Sequence, residues 1–395
     1  MYDSDPNPAL REERRVNETP NTTPRCKAQL AELEPYEPVS SLDDIRAYPY
    51  EDEPLKLDWN ESTIAPSPRV VERIQQFMAN THHLNWYPDL FSHRLLPDLA
   101  AYTGRSEDEI LVTSGSDDAL DLICKTFLDP GDEVVLPRPT YTHFLVFAQA
   151  QGGRVVSVVG PDPFEKNIGG LVAALTPRTK IVYLVSPNNP TGQLYTADEV
   201  TLLARRAPQA LIIVDEAYHE FCGVTAAGLV GKLPNVVVTR TFSKAYGLAG
   251  LRIGYAMSTP DVLRHFKKIH NPKGVNVIAQ IAAKTALADQ EHLQRFVADV
   301  TESKGILCHE LGALGFPCRA TPANYVNVRV PDPAGLCRAL AERNVYVRNR
   351  DGLPGMKGVV RITVGTPAQT RVLLDRLRDA LRTAPSSEVR RAASA

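Results

Sequence analysis

The stretch Thr241-Phe242-Ser243-Lys244-Ala245-Tyr246-Gly247-Leu248-Ala249-Gly250-Leu251-Arg252 sets a hydroxyl, an amine and a planar guanidinium close together in the chain. Such a set suits a nucleophilic amine beside a bound phosphate. An ordinary charged loop could carry the same residues, so the upstream sequence has to decide between the two.

Three further loops hold polar groups that make sense with this one. Ser114-Gly115-Ser116-Asp117 stands between a strand pattern and a helix pattern, where backbone N–H groups and the helix dipole attract an anion. Ser and Asp also begin helices for purely structural reasons. Ser186-Pro187-Asn188-Asn189-Pro190-Thr191-Gly192 reads as a rigid turn with amide side chains. Asp215-Glu216-Ala217-Tyr218 ends the most apolar strand pattern of the chain, where a carboxylate is costly without a partner. A protonated heterocyclic nitrogen is one such partner.

An anion-binding helix end, a buried carboxylate, an amide donor and a lysine together meet the needs of pyridoxal 5′-phosphate. In this order and spacing, Asn189-Pro190-Thr191-Gly192, Asp215-Glu216-Ala217-Tyr218 and Ser243-Lys244 through Arg252 resemble the class I/II aminotransferases, and within them the histidinol-phosphate aminotransferase group. The resemblance runs from about Leu33 to Leu381.

The resemblance implies roles residue by residue. Lys244 would bond to the cofactor's aldehyde and later carry the proton between the substrate carbon and the cofactor. Asp215 would pair with the ring nitrogen, Asn189 and Tyr218 would hold the phenolic oxygen, and Tyr141 would stack on the ring. Ser116 and Asp117 by their backbone, with Thr241, Ser243 and Arg252 by their side chains, would hold the phosphate. Arg361 would bind the substrate's carboxylate or phosphate, with Arg348, Tyr36 and Asn189 at the same end. Tyr87 would reach the partner subunit's cofactor phosphate, which implies a homodimer with shared active sites. The implied reaction is transfer of an amino group between an amino acid or amino-alcohol phosphate and 2-oxoglutarate, in amino-acid biosynthesis.

Some positions differ from a housekeeping enzyme of that group: His143, Lys273, Gly274 and the loop Leu57 to Thr63. They belong to the substrate end and leave the cofactor set intact. A specialised pyridoxal phosphate enzyme that eliminates, cyclises or oxidises a basic amino acid is therefore the alternative. A transcription regulator on the same scaffold would need a DNA-binding domain ahead of the resemblance, where about 25 polar residues stand. For Arg361, inside an apolar run, a structural ion pair is the competing explanation. His143 and His219 neighbour site residues, but a lone histidine is more often structural.

The elements that must position these groups alternate between strand and helix from Glu109 onward, as in a mostly parallel sheet. Strands are expected at Ile110–Thr113, Glu133–Leu136, Val155–Val159, Ile181–Val185, Leu211–Val214, Val236–Thr239 and Ile253–Met257. Their continuous apolar runs fit strands covered on both faces. The fold class is α/β: an aminotransferase-like large domain whose mostly parallel sheet is covered by helices, plus a smaller α+β domain. Expected boundaries are a disordered segment 1–25, an arm and part of the small domain at 26–68, the large cofactor domain at 69–290, the small domain at 291–383 and a disordered tail 384–395.

Composition bounds the partners. With 44 basic and 46 acidic residues in 395, nothing points to nucleic acid or an anionic membrane, and no apolar run spans a bilayer. The polar start lacks the apolar core of a signal peptide, which makes a cytoplasmic protein the expectation. Cys26, Cys124, Cys222, Cys308, Cys318 and Cys337 show no CxxC spacing, so neither a metal site nor a disulfide framework is expected and most should be reduced thiols. The partners expected are a small-molecule amino donor and a 2-oxoacid.

Overall fold

The computed structural model describes residues 26–31, 33, 45, 53–80 and 83–383. In chain order the strands are β1 (Leu55–Lys56), β2 (Ile110–Thr113), β3 (Glu133–Arg138), β4 (Arg154–Val159), β5 (Thr179–Val185), β6 (Leu211–Asp215), β7 (Val236–Thr241), β8 (Gly254–Met257), β9 (Cys318–Ala320), β10 (Tyr325–Arg329), β11 (Val345–Tyr346), β12 (Arg348–Asn349) and β13 (Val359–Thr363). The helices are α1 (Pro68–Asn80), α2 (Leu96–Thr103), α3 (Ser116–Phe127), α4 (His143–Ala150), α5 (Ile168–Ala173), α6 (Ala197–Arg206), α7 (His219–Cys222), α8 (Pro260–Phe266), α9 (Val277–Ala288), α10 (Gln290–Ala313), α11 (Pro333–Ala341) and α12 (Pro367–Thr383).

A seven-stranded sheet runs β2-β8-β7-β6-β5-β3-β4, parallel except that β8 pairs antiparallel with both β2 and β7. β5, β6 and β7 are central and nearly all of their residues are buried. Apolar clusters on the two faces cover them, which explains why their sequences are runs of Val, Ile and Leu. Each fully buried Val or Leu contributes about 1.5–3 kcal/mol relative to exposure. The edge strand β4 departs from the expectation of cover on both faces, because each of its residues is half-buried or exposed. A second sheet, β12-β13-β10-β9, is antiparallel and carries Arg361 and Arg348. β1 pairs with β11 and ties residues before α1 to the C-terminal part.

The parallel order matters for chemistry because it sends the C-terminal ends of β5, β6 and β7 to one edge. At the opposite end Glu133, with no exposed surface, accepts from Thr176 at 2.6 Å and from Arg154 and Arg178. The hydrogen bonds from Thr176, Arg154 and Arg178 hold its carboxyl down at about 2. Its stabilising contribution is therefore present above the ordinary value of 4.5 and is lost as pH falls from there toward 2. Glu133→Gln should destabilise the protein by about 1–3 kcal/mol at neutral pH. Denaturant titrations of the two proteins should converge in acid; a gap that stays constant through that window would rule this account out.

One cysteine expectation is corrected. Cys308, on α10, and Cys318, which opens β9, form a disulfide with a Cα–Cα distance of 5.1 Å. A helix end and the strand that folds back along it bring the two together, a proximity that spacing along the chain does not reveal. Cys26, Cys124, Cys222 and Cys337 are free thiols. Among the described residues no helix is long and apolar enough to cross a membrane.

Candidate active site

The ends of β5, β6 and β7, the start of α3 and the second sheet enclose a cavity of about 490 Å³. Lys244, Asp215, Tyr218, Ser116, Asp117, Tyr141, Asn189, Thr241, Ser243, Arg252, Arg348 and Arg361 all line it. Two expected residues stand apart. Tyr36 lies outside the described residues, and Tyr87 is 77 % exposed, away from this cavity of its own chain.

Lys244 follows β7 and is half-buried. Its Nζ donates to the Trp59 carbonyl at 3.0 Å and lies 6.0 Å from the Tyr218 ring centroid. Burial, with Arg361 and Arg252 nearby, lowers its pKa to about 8, although Glu61 opposes the shift. Such an amine is partly neutral near physiological pH and can act as a nucleophile.

Asp215 ends β6 and is 3 % exposed. Its Oδ2 accepts from the Tyr183 hydroxyl at 3.0 Å, and its Oδ1 has no hydrogen-bond partner. Burial raises its pKa to about 7 against that hydrogen bond, with Asp117 adding to the rise. A buried carboxylate with one free oxygen calls for a cationic donor.

At the other end of the cavity, Gly115 precedes α3 with φ +85°, and a Cβ there would fall 2.6 Å from the Arg252 guanidinium. The glycine allows both the left-handed turn and the approach of Arg252. Arg252 itself adopts φ 55° and ψ 72°, a conformation costly for a side-chain-bearing residue, and donates to Ser243 Oγ at 3.3 Å. Ser243 Oγ also accepts from Thr241 Oγ1 at 2.9 Å. These hydroxyls, the guanidinium and the first amides of α3 form a cradle for an anion. Tyr141 leans over it, its hydroxyl donating to Asp117 Oδ1 at 2.9 Å.

Arg361 is 2 % exposed. It donates to Asn189 Oδ1 at 2.6 Å and to the Asp58 carbonyl, and its guanidinium carbon lies 5.5 Å from the Tyr325 ring centroid. No carboxylate pairs with it among the described residues, so the structural ion pair weighed from sequence is absent there. Arg348 is its direct cross-strand partner and Arg350, two residues on, also lines the cavity. His143 lines the cavity as well, whereas His219 bonds the Val224 carbonyl at 3.1 Å and does not line it.

The sequence reading missed several supporting residues. Asn60, wholly buried with φ 55°, donates to the Tyr218 hydroxyl at 3.0 Å and is held by Thr363 and Asn324. Asn188 bonds Thr140, Pro139 and Thr191, locking the loop of Tyr141 to that of Asn189. Tyr183 and Arg350 were likewise unmarked. Their contacts are long-range, and only an unusual polar residue in an apolar run hinted at Tyr183.

The profile of the family described as Aminotransferase class I and II matches residues 52–377. Histidinol-phosphate aminotransferase of Moorella thermoacetica is 32% identical over 369 residues, covering 91% of this chain and 94% of that protein. Dihydroxyacetone phosphate transaminase of Campylobacter jejuni is 34% identical over 82% of this chain and 89% of its own. The crystal structure of histidinol-phosphate aminotransferase from Sinorhizobium meliloti in complex with pyridoxal-5′-phosphate superposes with a TM-score of 0.82 at 29% identity, over 92% of this chain and 99% of that one. With a lysine, a carboxylate and an anion cradle in one cavity, and this match along most of its length, the chain belongs to the class I and II aminotransferases, enzymes dependent on pyridoxal phosphate.

Proposed function

We propose that the enzyme moves an amino group between a phosphorylated amino alcohol of the histidinol phosphate kind and 2-oxoglutarate. The observation that carries this reading is the cationic wall formed by Arg348, Arg350 and Arg361. Arg348 and Arg361 are directly paired across β12 and β13, and like charges so placed repel. The acidic groups at this end, Asp58 and Glu61, are both bridged by Lys56. A dianionic phosphate answers the paired guanidiniums of Arg348 and Arg361 better than a neutral or basic side chain does. Amino transfer uses one site for donor and acceptor in turn, so the acceptor must present an anion to the same wall. The distal carboxylate of 2-oxoglutarate does so.

The cavity fits the cofactor, as the unpartnered Asp215 oxygen, the buried Lys244 amine and the cradle at Gly115 attest. Bound pyridoxal phosphate supplies an aldehyde that takes up an amino group and a ring that withdraws electrons from the carbon beside it. In this reading Lys244 Nζ holds the aldehyde at rest and moves the proton during reaction, catalysing with Asp215 and Tyr218. Asp215 Oδ1 faces the ring nitrogen, Tyr218 and Asn189 face the phenolic oxygen, and Tyr141 covers the ring. Ser116, Asp117, Thr241, Ser243 and Arg252 keep the phosphate, while Arg361 and Arg348 orient the substrate's anion.

The test is a spectral titration of the loaded enzyme with histidinol phosphate, glutamate and basic amino acids. Histidinol phosphate should convert the cofactor's visible absorption to that of its amine form, and 2-oxoglutarate should restore it. Release of ammonia from a basic amino acid, with no oxoacid required, would instead establish the elimination chemistry weighed as the alternative.

The same reading makes the protein a homodimer in which Tyr87 serves the neighbouring subunit. Tyr87 and Trp86, 77 % and 65 % exposed, stand on the surface beside Leu84 and Leu90. Such a patch fits an interface better than a free surface. Tyr87→Phe should leave the dimer intact by light scattering and weaken cofactor binding about tenfold, the loss of one hydrogen bond to a charged group. Unchanged cofactor affinity would dismiss the shared site.

A further inference from the structure

Tyr183 has no exposed surface, yet it carries a hydroxyl into the middle of the sheet. It lies on β5 two residues before Val185, which is the register partner of Asp215, so Tyr183 and Asp215 share one face. The hydroxyl donates to Asp215 Oδ2 at 3.0 Å. Phe144, on α4, stacks on the tyrosine ring with centroids 3.7 Å apart and planes at 18°. The other oxygen, Oδ1, has no partner. A buried phenylalanine would fill nearly the same space, so packing alone does not account for the hydroxyl.

We infer that Tyr183 is a positioning residue: it holds the Asp215 carboxylate in one orientation and draws its charge toward Oδ2, so that Oδ1 meets the cofactor's ring nitrogen without removing its proton. The inference rests on the reading that Asp215 faces that nitrogen. The physics is a competition. Burial, and to a smaller extent Asp117, make the carboxylate more basic, whereas the Tyr183 hydroxyl, the largest of the opposing donors, makes it less so, with the Thr239 side chain and the Ala217 amide adding to it. Without the phenol the shared proton shifts toward the carboxylate, and the ring loses part of its power to withdraw electrons. Tyr183 does not line the cavity, so its influence passes through Asp215.

The test uses holoenzyme loaded with cofactor isotopically labelled at the ring nitrogen, whose magnetic resonance position reports its protonation. Tyr183→Phe, which keeps the ring stacked on Phe144, should move the resonance toward the unprotonated position and lower kcat about tenfold. Phe144→Leu disturbs the same packing but leaves the hydroxyl, so it should lower thermal stability and leave the resonance unmoved. A Tyr183→Phe resonance at the wild-type position overturns the inference, as does an equal displacement by Phe144→Leu. Asp215→Asn separates the two levels of argument. If it leaves the resonance unmoved, the placement of Asp215 opposite the nitrogen fails; if it moves the resonance and Tyr183→Phe does not, only the role of Tyr183 fails.

Discussion

Lys244→Ala is expected to lower kcat by at least about 10⁴-fold, since on the proposed reading the substitution removes both the amine that would hold the cofactor and the group that would move the proton. Alanine leaves the Trp59 carbonyl without the donor that the amine provides at 3.0 Å, a modest structural loss. The variant should therefore fold and bind the cofactor noncovalently, without the visible absorption of a lysine adduct. A small added amine should restore part of the rate. The wild-type apoprotein offers a second readout. With Lys244 lowered by burial to about 8, the neutral amine grows as pH rises through that value, so capture of the cofactor should accelerate through pH 8 and then level off. Lys244→Ala should show no such limb. A variant within about tenfold of wild type would show that another group carries the proton.

Arg361→Leu is expected to lower kcat/KM by on the order of 10²–10³-fold, through loss of charge-assisted hydrogen bonds to the substrate's anion. On the proposed reading, in which both halves of the reaction use the same wall, the loss should appear for the phosphorylated donor and for 2-oxoglutarate alike. Cofactor affinity should hardly change, as the cradle of Ser243 and Arg252 is separate from Arg361. Some structural cost is built in. Asn189 Oδ1, which accepts from Arg361 at 2.6 Å, loses that donor, worth about 1–3 kcal/mol if the oxygen stays buried. Arg361→Lys keeps the charge without the planar fork and should fall between the two. If both substrates kept their KM values in Arg361→Leu, the cationic wall would not be the anion site.

The residue sequence by itself determined a good deal. The continuous apolar runs of β5, β6 and β7 declared strands buried on both faces, because such strands have no solvent side to favour polar residues. Lys244, Asp215, Asn189 and Arg252 were legible because each sits at the end of a strand or in a loop beside one, and a parallel sheet gathers strand ends at one edge. Local turn chemistry also showed through, as at Gly115 before α3.

Only the tertiary structure decided the rest. Tyr183 became a partner of Asp215 through the β5–β6 register, and Asn60 became the donor to Tyr218 across 158 residues of sequence. Arg348 and Arg361 became neighbours through β12–β13 pairing, which turned two scattered arginines into a wall. Cys308 and Cys318 met because β9 folds back along α10. Each of these contacts depends on which strand lies beside which and in what register. A residue's type and its near neighbours carry hydrophobic period and turn preference, but pairing is settled by the packing of the whole chain.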